Sequence, residues 1–403
     1  MNLTRRFSTL LVAATLASGS AVANPIAAVV VPTASALESV SESQQGRPDL
    51  VVVTGRRGSE TSVTGTLLQA HLDEVRISVD GEELTYKPDR VVRIQLNQVP
   101  ESFSDGRKHM AARRFAEAAA AFGKTASDSK QREPVRAAAL LEAIAAEVAQ
   151  SGKDAAAVGR ARELAARFLK DFPQSRDLPE ARRWSARLAH VAGDTAAAVE
   201  GYAALAKEFD GSKATVGYDP LLCLEAGLQG AHAALDGGDT SRARDLFASL
   251  EQASTAYAAS LDATDPRAVH AEALRERAQL GEGWILLSGN KGTQARGFFK
   301  SRVEGDQLKT DQARFEARIG YAKSLEAGKE LREAQVQYAM VSAAAYGDRD
   351  LVARALVGLS ATSLALGDTD ARAQATTWLT EVAERYPDTP AARTARAELE
   401  KLR

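Results

Sequence analysis

The chain has 403 residues, enough for two or three domains, and 45% of them are hydrophobic and 26% charged, the mixture of an ordinary folded protein. A formal charge of −2, with both signs interspersed, excludes a bulk basic face for nucleic acid or anionic lipid. Aromatic residues are scarce at 5% while alanine is abundant, which favours closely packed helices.

The first 23 residues predict an export signal. Arg5 and Arg6 supply a positive start, "FSTLLVAATLA" a short apolar run, and Ala21-Val22-Ala23 small residues for cleavage. The run is shorter than the roughly 20 residues of a bilayer span. Thr4-Arg5-Arg6-Phe7 leaves the general and twin-arginine routes both open. The single cysteine, Cys223, rules out an internal disulfide. Residues 24–48, rich in Ala, Ser, Gln, Pro and Val without periodicity, predict a flexible leader.

Residues 49–97 alternate apolar and polar side chains with period two, the pattern of half-buried strands. Val75, Ile77 and Val79 share one face. Asp80-Gly81 predicts a hairpin turn, Leu84 and Tyr86 continue the inner face, and Val92, Ile94 and Leu96 resume it. With "LVVVTG" and "SVTGTLLQAH" upstream, five short strands predict a small β module resembling an SH3-like or Sm-like barrel. "DLVVVTGRR", Asp49 to Arg57, also resembles the segment by which outer-membrane receptors engage an energy-transducing partner. A core strand is the simpler reading of its valines.

From residue 101 to the end the pattern is helical. Gly193-Asp194-Thr195 returns as Gly238-Asp239-Thr240 and Gly367-Asp368-Thr369. Glycine closes one helix in the left-handed conformation and Asp or Thr caps the next, so each tripeptide predicts a tight helical hairpin. "SGNKGT" and "EAGKEL" mark equivalent junctions. The junction glycines Gly193, Gly238, Gly289, Gly328 and Gly367 are spaced 45, 51, 39 and 39 residues apart, a period that predicts six or seven stacked helix pairs forming an elongated, curved α-solenoid.

After each junction a small residue precedes a ring by four positions: Ala118/Phe122, Ala198/Tyr202, Ala243/Phe247, Ala295/Phe299 and Ala334/Tyr338. That spacing puts both on one helix face. With Gly106, Phe115, Ala186 and Gly283, and with helix pairs ending "LKDFPQS" and "AERYPDT", the stretch resembles tetratricopeptide repeats. It resembles periplasmic ones of the Tol-Pal and outer-membrane-assembly type, although its spacing departs from the family's roughly 34 residues. The resemblance implies a mostly α fold, residues 101–403, whose first helices line an inner groove. Arg183, Arg187, His190, His232, Arg277, Trp284 and Lys323 are the groove candidates.

No catalytic constellation emerges. "FGKTAS" lacks the upstream glycine of a phosphate loop and ends a helix. None of the five histidines has a His or Cys two to four residues away, so no local metal pair is predicted, and no nucleophile elbow occurs. The sequence therefore predicts an exported, non-catalytic scaffold that binds a protein or peptide of the cell envelope. It needs no cofactor, metal, nucleic acid or stable membrane insertion, and oligomerisation stays open. The alternative is that the β module binds a cell-wall polymer or glycan, with the repeats as spacer or oligomerisation arm.

Overall fold

Alternation and turn chemistry make the N-terminal sheet. In the computed structural model, which describes residues 47–55, 59–345 and 347–403, the strands are β1 Asp49–Thr54, β2 Glu60–Ala70, β3 Val75–Val79, β4 Glu82–Tyr86 and β5 Val91–Gln95. The predicted signal, the leader up to residue 46 and Arg56-Arg57 lie outside the described residues. All pairings are antiparallel, in the order β4-β3-β2-β1-β5, and the sheet is not closed. Asp80 (φ 51°) and Gly81 (φ 90°) form the expected turn, since this hairpin type needs positive φ at both positions.

The inner face differs from the alternation in two places. Val91 is buried and Val92 is 50% exposed, because a register shift between Val52 and Val53 carries the pairing from Arg93 to Val91. Leu84 is also exposed, as it lies on the outermost strand, β4.

The rest is mostly helical. The helices are α1 Glu101–Ala111, α2 Phe115–Ser127, α3 Glu133–Gln150, α4 Ala157–Asp171, α5 Leu178–Ala192, α6 Thr195–Ala206, α7 Pro220–Asp236 and α8 Thr240–Ser260. They continue as α9 Pro266–Gln279, α10 Gly281–Ser288, α11 Gly292–Glu304, α12 Asp311–Ala327, α13 Leu331–Ala344, α14 Arg349–Leu366, α15 Ala371–Arg385 and α16 Pro390–Lys401. Each packs on the next. No described helix is long and apolar enough to cross a membrane.

Two of the three repeated tripeptides work as the sequence predicts. Gly193 (φ 88°) and Gly238 (φ 79°) are left-handed, and the carboxylates of Asp194 and Asp239 accept the Ala197 and Arg242 amides at 3.3 and 2.9 Å. The third copy departs. Gly367 closes α14 (φ 68°), but both Asp368 oxygens accept from Arg332 at 2.7 Å, and α15 starts three residues later behind Asp370. At the other two junctions the left-handed residue is Asn290 or Lys329, one position after the glycine.

The rings explain how neighbouring helices approach. Ala118, Ala198, Ala243, Ala295 and Ala334 are wholly buried, and four of the five rings lie over a glycine of an adjacent helix. A Cβ on Gly106 would come within 2.6 Å of the Phe122 ring, and one on Gly281 within 2.5 Å of Phe247. Phe299 fills the space beside both Gly283 and Gly320, and Tyr338 that beside Gly358, whereas at Gly230 the Tyr202 Cβ rather than its ring comes close. Interiors tolerate no void of that size, so ring and glycine function as one unit.

The array does not stay open. The first helices of successive pairs, α5, α7, α9, α12 and α14, lie side by side, and α16 packs on α14 and returns onto α5. The expected elongated curve thus closes on itself, with Arg187 of α5 against Asp388 before α16 and Arg396 donating to Ser151 Oγ at 3.0 Å. One apolar core runs from Ala186 to Ala395. A second joins the sheet to Phe103, Phe122, Val135 and Phe168.

A polar contact also ties the sheet to the helices. Asp49, fully buried, accepts the Leu67, Asn97 and Gln98 amides and Arg132 Nη1 at 2.6–3.0 Å.

Candidate functional site

Helical spacing gathers the candidate residues in the middle of the closed array. Arg183, Arg187 and His190 fall at i, i+4 and i+7 of α5, and Glu225, Gln229, His232 and Asp236 repeat that spacing on α7. His270 and Arg277 on α9, and Glu316 and Lys323 on α12, stand seven apart. Such intervals keep side chains on one face, here the face turned towards the neighbouring first helices.

The centre is an ion-pair network. Glu316, with no solvent exposure, accepts from Arg277 at 2.7 and 2.9 Å and from Arg354 at 2.9 Å, and His232 Nε2 lies 3.2 Å from it. Arg277 also donates to Asp348 at 3.2 Å. Arg187 reaches Asp350 at 3.0 Å and Asp388 at 3.1 Å, and Gln229 donates to the other Asp350 oxygen at 3.3 Å. Three arginines thus meet four carboxylates.

Trp284 sits among them. The Arg354 guanidinium lies 4.7 Å above its ring, Lys323 6.0 Å away, and His232 and Phe299 meet it edge-on. At the edge of the cluster His190 pairs with Asp236 at 2.8 Å. Arg183 donates to Glu180 at 2.8 Å, and Glu225 between them takes His270 at 3.0 Å.

Protonation follows from this arrangement. Burial disfavours the Glu316 carboxylate, but Arg354 and Arg277 outweigh it and hold its pKa well below the usual value. Burial likewise opposes charge on Arg187, and Asp350 and Asp388 reverse the sign and hold the guanidinium up. Arg277 is held up against burial by Glu316 and Asp348. Burial pushes His232 down despite Glu316, and raises Asp348 despite Arg277. Lys323 keeps contact with water, yet desolvation by the surrounding protein, reinforced by Arg354, lowers its ammonium. The Cys223 thiol is buried and pushed up to about 12 by desolvation, so it stays protonated and unreactive at neutral pH.

The structure therefore brings all seven candidates to one cluster, with Lys323 exposed to solvent, but Arg187 and Arg277 hold acids of this chain. Chemically the arrangement ties helices together, since one carboxylate bridges two arginines and one arginine bridges two carboxylates. Sequence reasoning missed every acidic partner: Glu316, Asp348, Asp350 and Asp388, and with them Arg354. A signal was present in the seven-residue spacing of charges on alanine-rich helices. Among the described residues, no group of three or more His, Cys, Asp or Glu is placed to hold a metal.

Comparison with known proteins returns no matching family model and no matching curated protein.

Proposed function

We propose that the chain is an exported, non-catalytic scaffold of the cell envelope that binds a protein or peptide through a helical-repeat surface. On this reading residues 101–403 are a tetratricopeptide-like α-solenoid, closed on itself, behind a small SH3/Sm-like module. The observation that carries it is the ring-on-glycine seat, repeated at Phe122, Phe247, Phe299 and Tyr338. Stacking identical units builds a broad surface without a reactive centre. The interior is filled by its own ion pairs, so the partner takes the outer face. There Val336 and Met340 are 56% and 45% exposed and four apart on α13, the spacing of a docking stripe.

For the module, a strand β2 long enough to pair β1 with its first half and β3 with its second supports the SH3-like comparison, as does the 3₁₀ turn Pro88–Arg90 before β5.

Crosslinking affinity purification from envelope extract tests the reading. The intact chain is expected to retain a stoichiometric partner that Val336→Glu with Met340→Glu loses; no partner under crosslinking would overturn it. The alternative, wall-polymer or glycan binding by the sheet, draws on exposed Leu68, Leu84 and Val92. Cosedimentation with isolated wall separates the two.

A further inference from the structure

Between the sheet and the helices lies a second feature that the helical surface does not involve. A cleft of about 410 Å³ is bounded by β5, the end of β2, α1, α3 and the segment Ser175–Asp177. That volume is within the range of ligand pockets. Five consecutive residues, Val92 to Leu96, line it. Consecutive residues of a strand normally face opposite sides, so a wall containing all five is the strand's main-chain edge. Among the described residues β5 is an outer strand, paired only with β1. Its edge is therefore a template for one more strand. The opposite edge, β4, carries exposed Glu82 and Glu83, the charged guard that discourages pairing.

The polar groups across the cleft lack partners. The Arg107 guanidinium lies 4.6 Å over the Phe103 ring and makes no hydrogen bond or ion pair among the described residues. Glu142, on α3 opposite, makes none either. Each senses the other's charge, and burial shifts both towards their neutral forms, Arg107 downwards and Glu142 upwards. Arg176 donates one Nη to the Val91 carbonyl at 2.7 Å, while its other, Nη1, is buried with no acceptor. Unmet donors of this kind are costly; Arg176 Nη1 is one beside the strand edge, and the half-buried Arg107 and Glu142 add two charges with no bonded partner among the described residues.

We infer that this cleft is a docking site for an extended peptide of a partner protein. The peptide adds as a strand to β5 and sets an acidic side chain between Arg107 and Arg176. Main-chain groups of the peptide meet the β5 edge, its carboxylate meets the guanidinium pair, and a donor group meets Glu142. This is recognition by strand addition, with main-chain hydrogen bonds for affinity and side-chain pockets for selection. The inference stands independently of the helical surface, which lies on other elements.

The test uses the full mature chain and three dodecapeptides with blocked termini. One alternates Val and Thr around a central Glu, the second replaces that Glu by Lys, and the third is the Glu peptide N-methylated at alternate residues. Fluorescence anisotropy is expected to show the Glu peptide binding at least about tenfold more tightly than either of the others. Arg107→Glu is expected to reverse the Glu-over-Lys preference, and the milder Arg107→Gln to abolish it, each with an unchanged circular dichroism spectrum. The inference is overturned by equal binding of the N-methylated peptide, by a preference that ignores Arg107, or by no binding of any of the three. Protection of the Val92–Leu96 amides from hydrogen exchange by isolated wall polymer, without protection by peptide, overturns it in favour of a glycan site.

Discussion

The helices are joined in two different ways. Successive pairs meet through a ring seated on a glycine, as Phe299 sits on Gly283 and Gly320, and the contact is apolar and wholly buried. The closing seam, where α16 returns to α5, is held instead by Arg187 with Asp388, by Arg349 with the same carboxylate at 2.6 Å, and by Arg396 with Ser151. Apolar burial is non-directional and has no proton to lose or gain, whereas paired charges depend on both partners being ionised. The difference teaches that stacking and closure respond to different perturbations.

The largest effect should come from emptying a seat. Phe299→Ala is expected to cost about 3–5 kcal/mol in urea unfolding, because two glycine-bearing helices would border the cavity. A loss below about 1 kcal/mol would show that the seats are not what joins the pairs. Glu316→Gln should follow at about 3 kcal/mol, since it leaves Arg277 and Arg354 buried with a neutral partner; the same unfolding measurement checks it. Gly320→Ala, which drives a methyl into the Phe299 ring, should cost about 2 kcal/mol by overpacking. Thermal unfolding of the variant alongside Phe299→Ala would show whether the two substitutions couple, as contacting residues do.

The closing seam should show the opposite signature, a response to acid. Asp388 has its pKa lowered: burial opposes the charge, but Arg187 and Arg349 outweigh it. A depressed carboxylate contributes stability that is full above its unfolded value of about 3.9 and is lost as pH falls through the folded one, where the unfolded chain binds more protons. Hydrogen exchange of α16 amides, and of α12 amides beside the depressed Glu316, is therefore expected to accelerate below about pH 4, before the amides of α11, which carries the Phe299 ring, respond. Asp388→Asn should produce that faster exchange of α16 already at neutral pH and flatten its dependence on acid. Simultaneous loss of all helices would refute the separation. The smallest effect belongs to a junction: Asp194→Ala removes the cap on Ala197 and should cost about 1 kcal/mol by urea unfolding.

Legibility in the sequence follows the reach of each interaction. The hairpin at Asp80-Gly81 and the stops at Gly193 and Gly238 were readable because backbone conformation and capping involve residues within four positions. The rings were readable by their spacing from alanine; their seats on Gly281, Gly320 and Gly358 were not, because each belongs to another helix with no fixed offset. The third tripeptide misled for a related reason. Asp368 has the right local neighbours to cap, but Arg332, 36 residues away, holds its carboxylate. Val92 misled because a bulge in the pairing with β1 is invisible within β5 alone.

The candidate site divides in the same way. Amino-acid order alone determined that there would be helical pairs, where they turn, and that Arg183, Arg187 and His190 would share a face, since all of this follows from periodicity and local hydrogen bonding. Tertiary structure decided that Arg187 would find Asp350, 163 residues on, and the Asp388 carbonyl, 201 residues on. It also decided that the array would close, and that Arg107 and Glu142 would line one cleft beside β5 with no bonded partner among the described residues. Such contacts are selected by how whole helices pack, and no local pattern encodes which distant charge will arrive opposite another.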